Sequence, residues 1–321
     1  MIFEKQILGI YRKNLFVRND NADGIFYFSP DDFPGLQTHP YDFKARAGHD
    51  LKGYFYHYPD PVPGRVLVFD HGMGNGHRAY MREIETLAKA GFLVYSYDHT
   101  GCMTSGGESC NGFAQSLSDL DACMEALKSE KALEDYTFSV IGHSWGGFST
   151  MNIAALHPDI THVVSMSGFI SVKRIVEQTI DGILKPYRKP ILALERQANE
   201  RYVDFDAISS LQGTDAEVLL IYSENDPVVK MSCHCDPLIQ ALEGKENIRI
   251  HLESGKAHNP SYTAEAVKYK DAFFEALQTL RKRGNKVTPE ERKSFMESYD
   301  WRRMTEQDEK VWDLIVSHLK A

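Results

Sequence analysis

The sequence predicts an α/β fold, a mostly parallel sheet of about eight strands with helices on both faces. Two observations carry this expectation. Apolar, β-branched runs alternate with amphipathic helical stretches along most of the 321 residues, the pattern of repeated βα units rather than of segregated strands and helices. The residue types suited to chemistry fall just after those apolar runs, where the loops of an open sheet converge beyond the carboxyl ends of the strands. Residues 1–60 differ. FYFSP and YDFKARAGHDLKGYFYHYP, punctuated by Gly, Asp and Pro, predict short strands joined by turns and hence an antiparallel lead-in.

RVLVFDHG (65–72) reads as a buried strand ending in a glycine-rich loop. AYMREIETLAKAG follows it, with Met81, Ile84, Leu87 and Ala88 at helical spacing and Gly91 as C-terminal cap. FLVYSYD (92–98) is the next strand. After the loop HTGCMTSGGESC, a helix carries Leu117, Leu120, Met124 and Leu127 on one face. TFSVIGH and a helix to about Pro158 form the third unit, and HVVSMSG (162–168), EVLLIYS (217–223) and IRIHLES (248–254) supply further strands. Residues 169–212 look helical, with Pro186 and Pro190 breaking the run, and are long for a simple crossover. They are expected to be a helical cap over the crevice, inserted into a core of residues 1–168 and 213–321. From about residue 262 a C-terminal helical extension is expected. Its first helix runs over 262–284. A second opens at Thr288-Pro289-Glu290-Glu291 with a Thr cap and Glu three residues later. A third begins at Thr305, with Val311, Trp312, Leu314, Ile315 and Leu319 on its apolar side.

Charged residues make up 25% and hydrophobic ones 42%, which is ordinary for a globular protein. A net charge of −9, without a long Lys/Arg cluster, argues against nucleic-acid binding. Charges at Glu4, Lys5, Arg12 and Lys13 break every apolar run of the N-terminus, which predicts neither a signal peptide nor a membrane span. Five cysteines are few and odd in number, so a reducing cytoplasm is expected rather than a disulfide framework. Cys233-His234-Cys235 offers soft ligands but lacks the spacing and the second pair of a structural zinc site, and no metal is expected.

VIGHSWGGF (140–148) contains the pattern G-x-S-x-G between an apolar strand and a helix. Gly142 and Gly146 let a tight turn present Ser144 at the sheet edge, with His143 and Trp145 on either side. A free serine is a poor nucleophile and needs a base, which in turn needs an acid to fix its tautomer. Of the downstream candidates, His258 in GKAHN is the expected base and Asp226 in SENDP the expected acid. Glu224 is the alternative acid, disfavoured because it follows its strand too closely to reach across. His143 is expected to be structural. His71 and His77 are expected to brace the loop or touch substrate, and Cys102 and Cys110 to be bystanders. Upstream, Asp70-His71-Gly72-Met73-Gly74-Asn75-Gly76 can turn a backbone amide toward substrate. The Met73 and Trp145 N–H groups are then the expected oxyanion hole, where one donor is worth ~3 kcal/mol of transition-state stabilisation.

HGMGNG, YSYDHTGCMTSGGES, GHSWGG, SENDPVV and GKAHN, in that order, resemble the α/β-hydrolase family. Within it they are similar to capped serine carboxylesterases, lysophospholipases and monoacylglycerol lipases, over most of residues 40–260. The resemblance implies a serine hydrolase cleaving carboxylic esters through an acyl-enzyme. It implies a small ester or acyl substrate and no cofactor. Cys102 and Met103 replace a more glycine-rich turn, and the chain after His258 is longer than in such relatives. Apolar cap residues Ile170, Ile175, Ile180, Ile183 and Leu184 are divided between packing and acyl binding. An aminopeptidase-like amide hydrolase with the same triad is the alternative, with Glu177, Asp181, Glu195 or Glu200 holding the substrate amine. A binding protein that lost catalysis is the alternative of another class. The oligomeric state stays open, a homo-oligomer included.

Overall fold

A computed structural model describes residues 3–20, 28–74 and 76–321. Part of the FYFSP segment and Asn75 of the expected oxyanion loop lie outside the described residues. The main sheet has eight strands: β1 (Gln37–Pro40), β2 (Gly53–His57), β3 (Arg65–Asp70), β4 (Leu93–Tyr97), β5 (Thr137–His143), β6 (His162–Met166), β7 (Glu217–Ser223) and β8 (Ile248–Glu253). They lie in the order β1-β2-β4-β3-β5-β6-β7-β8. β1 and β2 pair antiparallel, as do β2 and β4, and every other neighbour is parallel. The expected antiparallel lead-in is therefore the edge of the sheet. Phe43–Lys44 and Asp50–Leu51 form a separate two-stranded ribbon.

Side chains alternate across each strand, so apolar runs such as Val66-Leu67-Val68-Phe69 feed two cores at once. Leu67, Phe69, Ile141, Val164 and Ile221 pack on one face with α2 (Met81–Lys89) and α12 (Glu309–Lys320), through Ile84, Leu87, Trp312 and Ile315. Val66, Val68, Val140, Val163 and Leu220 pack on the other with α3 (Gln115–Ser129) and α4 (Trp145–Ile153), through Leu120, Met124, Phe148 and Met151. α1 (Glu4–Leu15) buries Tyr11 against the same second core.

Residues 169–212 form α5 (Val172–Thr179), α6 (Arg188–Ala198) and α7 (Ala207–Gln212), with a 3-10 stretch at Gly182–Tyr187. The excursion is closed at its base. Ser171 bridges Asp206, and the Ala207 N–H donates to the Ile170 carbonyl over 2.9 Å. Ile170 and Ile175 belong to the core, whereas Ile183 is 92% exposed. α8 (Cys235–Ala241) links β7 to β8.

After β8 the chain makes α9 (Ala264–Lys282), α10 (Pro289–Glu297) and α11 (Trp301–Met304) before α12. The capping box read from Thr288 is present: its hydroxyl accepts from Glu291 N–H and the Glu291 carboxylate accepts from Thr288 N–H. The last helix begins at Glu309 rather than Thr305, because the Asp308 carboxylate caps it by accepting from the Lys310 and Val311 N–H groups. Phe273, Leu277 and Met304 build a small core of their own between these helices. Among the described residues no helix is long and apolar enough to cross a membrane.

Trp312 is only 3% exposed and anchors α12 to the sheet. Trp312→Ala should cost about 3–5 kcal/mol of unfolding free energy, the scale of a large aromatic deleted from a core, measured by urea denaturation.

Candidate active site

β5 ends at His143 and α4 opens at Trp145, so Ser144 alone makes the turn. Its backbone lies at φ 57°, ψ −108°, a region that costs a side-chain-bearing residue about 1–3 kcal/mol. Two hydrogen bonds hold it there. The Ser144 N–H donates to the Met166 carbonyl at the end of β6 over 2.8 Å, and the Phe148 N–H donates to the Ser144 carbonyl over 3.0 Å. The flanking glycines are required by contact. A Cβ on Gly142 would lie 2.4 Å from the Gly146 carbonyl oxygen, and one on Gly146 would lie 2.0 Å from the Asp70 carbonyl oxygen.

The Ser144 hydroxyl stands 2.9 Å from His258 Nε2, and His258 Nδ1 stands 2.7 Å from Asp226 Oδ2. Asp226 sits in the loop after β7 and His258 in the loop after β8. Burial pushes the Asp226 carboxyl up, but the hydrogen bond and charge of His258 outweigh it, helped by the Val228 and Val229 N–H groups. The net shift is below the usual carboxylate range. A carboxylate held ionised against Nδ1 makes Nε2 the free acceptor facing the serine. Glu224 is exposed, and its N–H serves the sheet by donating to Glu253.

His143 faces away from the serine hydroxyl and links two loops. The Gly72 N–H donates to the Tyr80 hydroxyl over 3.1 Å, and that hydroxyl lies 2.9 Å from His143 Nδ1. His143 Nε2 lies 2.7 Å from the His258 carbonyl oxygen. Burial, then the neighbouring His258, lowers the His143 pKa to about 3, so the ring is neutral. Only one tautomer satisfies the chain: Tyr80 donates to Nδ1 and Nε2–H donates to the carbonyl. A strut therefore runs from the glycine loop after β3 to the backbone of His258.

That glycine loop is braced from below. The Asp98 carboxylate accepts from the His77 N–H over 2.9 Å and lies 2.7 Å from His77 Nδ1. Burial pushes Asp98 up, yet His77 and His71 outweigh it and hold the pKa at about 2. Met73 thus lies between His71 and His77, both of which brace the loop. His71 Nε2 accepts from the His99 N–H over 3.0 Å. His99 is fully buried, with Nε2 3.0 Å from Asp70 Oδ1 and Nδ1 3.2 Å from Asp119 Oδ2. Burial disfavours its charge, but the two carboxylates outweigh burial and push the pKa up to about 10. Trp145 lies on this pair, its ring 4.7 Å from that of His99. Its indole N–H donates to the Phe113 carbonyl, while its backbone N–H, first in α4, has no carbonyl one turn earlier to bond. Cys102 and Cys110 lie beyond, their sulfurs 3.6 Å apart.

A cavity of about 350 Å3 opens beside Ser144 and His258. Met73, Tyr80 and Val228 line its core side. The opposite wall comes from the C-terminal helices, through Lys270, Phe274, Trp301 and Met304. No residue of 169–212 lines this cavity. Glu195, one of the carboxylates weighed for an amine, is instead buried between the Tyr11 hydroxyl and the Phe113 N–H, its pKa pushed up to about 7 by burial. Tyr80 and Lys270 were not singled out from the sequence. Nothing in a lone tyrosine after a glycine loop, or in a lysine on an amphipathic helix, signals that role.

An eight-stranded, mostly parallel sheet with a serine turn after β5 and facing carboxylate and imidazole loops after β7 and β8 defines an α/β-hydrolase. Residues 61–257 match the family described as serine aminopeptidase, S33, and the chain belongs to that family. A monoacylglycerol lipase of Mycolicibacterium smegmatis is 28% identical over 176 residues, 53% of this chain. The chain spans 58% of the length of that lipase. Among solved structures, the esterase Pf2001 of Pyrococcus furiosus aligns with a TM-score of 0.59 at 17% identity, over 81% of this chain and 96% of that one. An acylaminoacyl peptidase of Pyrococcus horikoshii aligns with a TM-score of 0.53 at 16% identity, over 77% of this chain and 42% of that one. Both share the fold.

The His99 imidazolium has a pKa raised from 6.5 to about 10 on folding. Its contribution to stability is complete below about pH 6.5 and is lost as pH rises toward 10. Thermal unfolding from pH 6 to 10 should show a falling midpoint, and His99→Gln should flatten that alkaline slope.

Proposed function

We propose that this protein is a serine hydrolase that cleaves carboxylic esters through an acyl-enzyme, with Ser144 as nucleophile, His258 as base and Asp226 as its orienting acid. The observation that carries the reading is the continuous run from the Ser144 hydroxyl through His258 to Asp226, at 2.9 Å and 2.7 Å. Ser144 Oγ attacks the ester carbonyl as its proton passes to His258 Nε2. Asp226 accepts the Nδ1–H and stabilises the imidazolium. The Met73 and Trp145 N–H groups hold the oxyanion, Trp145 supplying a helix-first amide with no intrahelical partner. The C–O bond to the alcohol breaks, and His258 returns the proton to the leaving oxygen. Water then repeats the sequence on the acyl-serine. Every step is carried by side chains and backbone amides, so the scheme calls for no metal or organic cofactor.

The similarity to a monoacylglycerol lipase supports an ester over an amide. In the same reading, residues 169–212 are an insertion on a core of 1–168 and 213–321, supported by the closed base at Ser171 and Asp206. Five free cysteines support a cytoplasmic location. The amide-hydrolase reading keeps two supports, the description of the family as serine aminopeptidase and the carboxylate of Asp271 at the cavity.

The test is hydrolysis of p-nitrophenyl esters from acetyl to palmitoyl beside an aminoacyl p-nitroanilide panel. Ester turnover should dominate, and Ser144→Ala should lower it by at least about 10³-fold and abolish fluorophosphonate labelling. Anilide turnover exceeding ester turnover would replace this reading with the amide one. Tyr80→Phe keeps the ring but removes the strut hydroxyl. It should lower kcat by about 10-fold with little change in KM, because it misplaces groups that act in the transition state.

A further inference from the structure

Lys270 is the feature of the cavity that ester hydrolysis leaves unused. α9 carries it into the cavity wall, half-buried, in a chain whose net charge is −9. Its ammonium donates to Asn259 Oδ1 over 2.8 Å, and Asn259 directly follows the base His258. The same nitrogen lies 5.0 Å from the centre of the Tyr262 ring. Both partners are neutral, and an ammonium has three N–H donors. Two carboxyls lie near enough to act on Lys270 through their charge, Glu83 and Asp271. Glu83 is buried on α2 and hydrogen-bonded by Tyr262, and burial raises its pKa toward the neutral form. Asp271 is exposed at the rim. Burial is also the largest influence on Lys270 and lowers its pKa. The ammonium is thus partly desolvated, and among the described residues its hydrogen bond goes to Asn259 rather than to a carboxylate.

We infer that Lys270 is a specificity-determining residue that binds an anionic group, a carboxylate or a phosphate, on a small ester substrate. This rests on the ester reading above and adds the substrate class. The cavity frames that choice. Its ~350 Å3 is at the small end of ligand pockets, roughly 300–1,000 Å3. Phe274, Trp301 and Met304 give it an apolar wall, so a short hydrocarbon segment fits between the reacting carbonyl at Ser144 and a charge at Lys270. A partly desolvated ammonium already held by Asn259 meets an anion with little side-chain entropy left to lose. Bulk solvent is a poor competitor for such an anion, since charge-assisted hydrogen bonds strengthen as water is excluded.

The experiment compares matched ester pairs that differ by one charge. Mono-p-nitrophenyl glutarate against p-nitrophenyl pentanoate places a carboxylate on the acyl side. Butyryl-glycerol phosphate against butyrylglycerol places a phosphate on the alcohol side. The readout is the ratio of kcat/KM for the anionic over the neutral member, which does not depend on the fraction of enzyme folded. In wild type the ratio should exceed one for at least one pair, and that pair identifies the group. Lys270→Met should lower that ratio by about 10-fold, mainly through KM of the anionic ester, the scale of one lost contact to a charged group. Lys270→Gln should act likewise, and Lys270→Arg should retain the ratio within about 3-fold. Wild-type ratios at or below one in both pairs, or ratios unchanged by Lys270→Met and Lys270→Gln, would overturn the inference while leaving ester hydrolysis intact. Failure of the wild type to cleave any of the four esters or to react with a fluorophosphonate would overturn the ester reading and this inference with it.

Discussion

The backbone of Ser144 is the constraint on which the rest of the site depends. A serine at positive φ between a strand and a helix is unfavourable in isolation, and it persists because neighbours on two strands and a helix fix it. β6 accepts its N–H through Met166, β3 presses the Asp70 carbonyl against Gly146, and α4 takes its carbonyl into the first helical turn. The hydroxyl consequently projects at the one sheet edge where the loops after β3, β7 and β8 can also reach. Strain at one residue and the parallel order of the sheet are two descriptions of the same arrangement.

Around that turn the polar groups are arranged in two tiers. The upper tier joins Gly72, Tyr80, His143 and His258 through neutral hydrogen bonds, so the loop of the expected oxyanion donor and the backbone of the base are held by one strut. The lower tier is ionic. His99 lies between Asp70 and Asp119, and Asp98 holds His77. Burying the His99 cation between two carboxylates is tolerable because both are met by further donors: the Tyr97 and Ser149 hydroxyls on Asp70, and the Thr100 N–H on Asp119. The neutral tier lies next to Ser144 and His258, and the charged tier lies beneath it, holding the loops after β3 and β4.

Much of this was legible in the sequence because the decisive residues are local to strand ends. Ser144, Asp226 and His258 each follow an apolar run, and the parallel order carries those runs to one edge. The alternation of apolar strands with amphipathic helices predicts the sheet covered on both faces, and Val66 to Phe69 feed both cores. What could not be read depends on pairs distant in sequence. Tyr80 meets His143 across 63 residues, and His143 meets His258 across 115. Lys270 acquires its place only once α9 has docked. The last helix starts at Glu309 rather than Thr305 because the Asp308 carboxylate accepts from two helical amides, whereas the Thr305 hydroxyl donates back to the Trp301 carbonyl.

The helices after β8 give the molecule a division of labour along its length. The reacting groups stand on the sheet, whereas one wall of the cavity belongs to α9 and α11, which pack largely on each other through Phe273 and Met304. That subassembly meets the core at several points: Trp301 packs against the core under α2, Arg302 donates to the Asp32 carbonyl and lies over the Phe28 and Phe33 rings, and Lys270 donates to Asn259. Phe274 and Met304 on that wall belong to helices that follow the last strand, a different stretch of chain from the turn at Ser144 and from Tyr80 and His143. The fold thereby builds the two sides of one cavity from separate parts of the chain, strand-end loops on one side and late helices on the other.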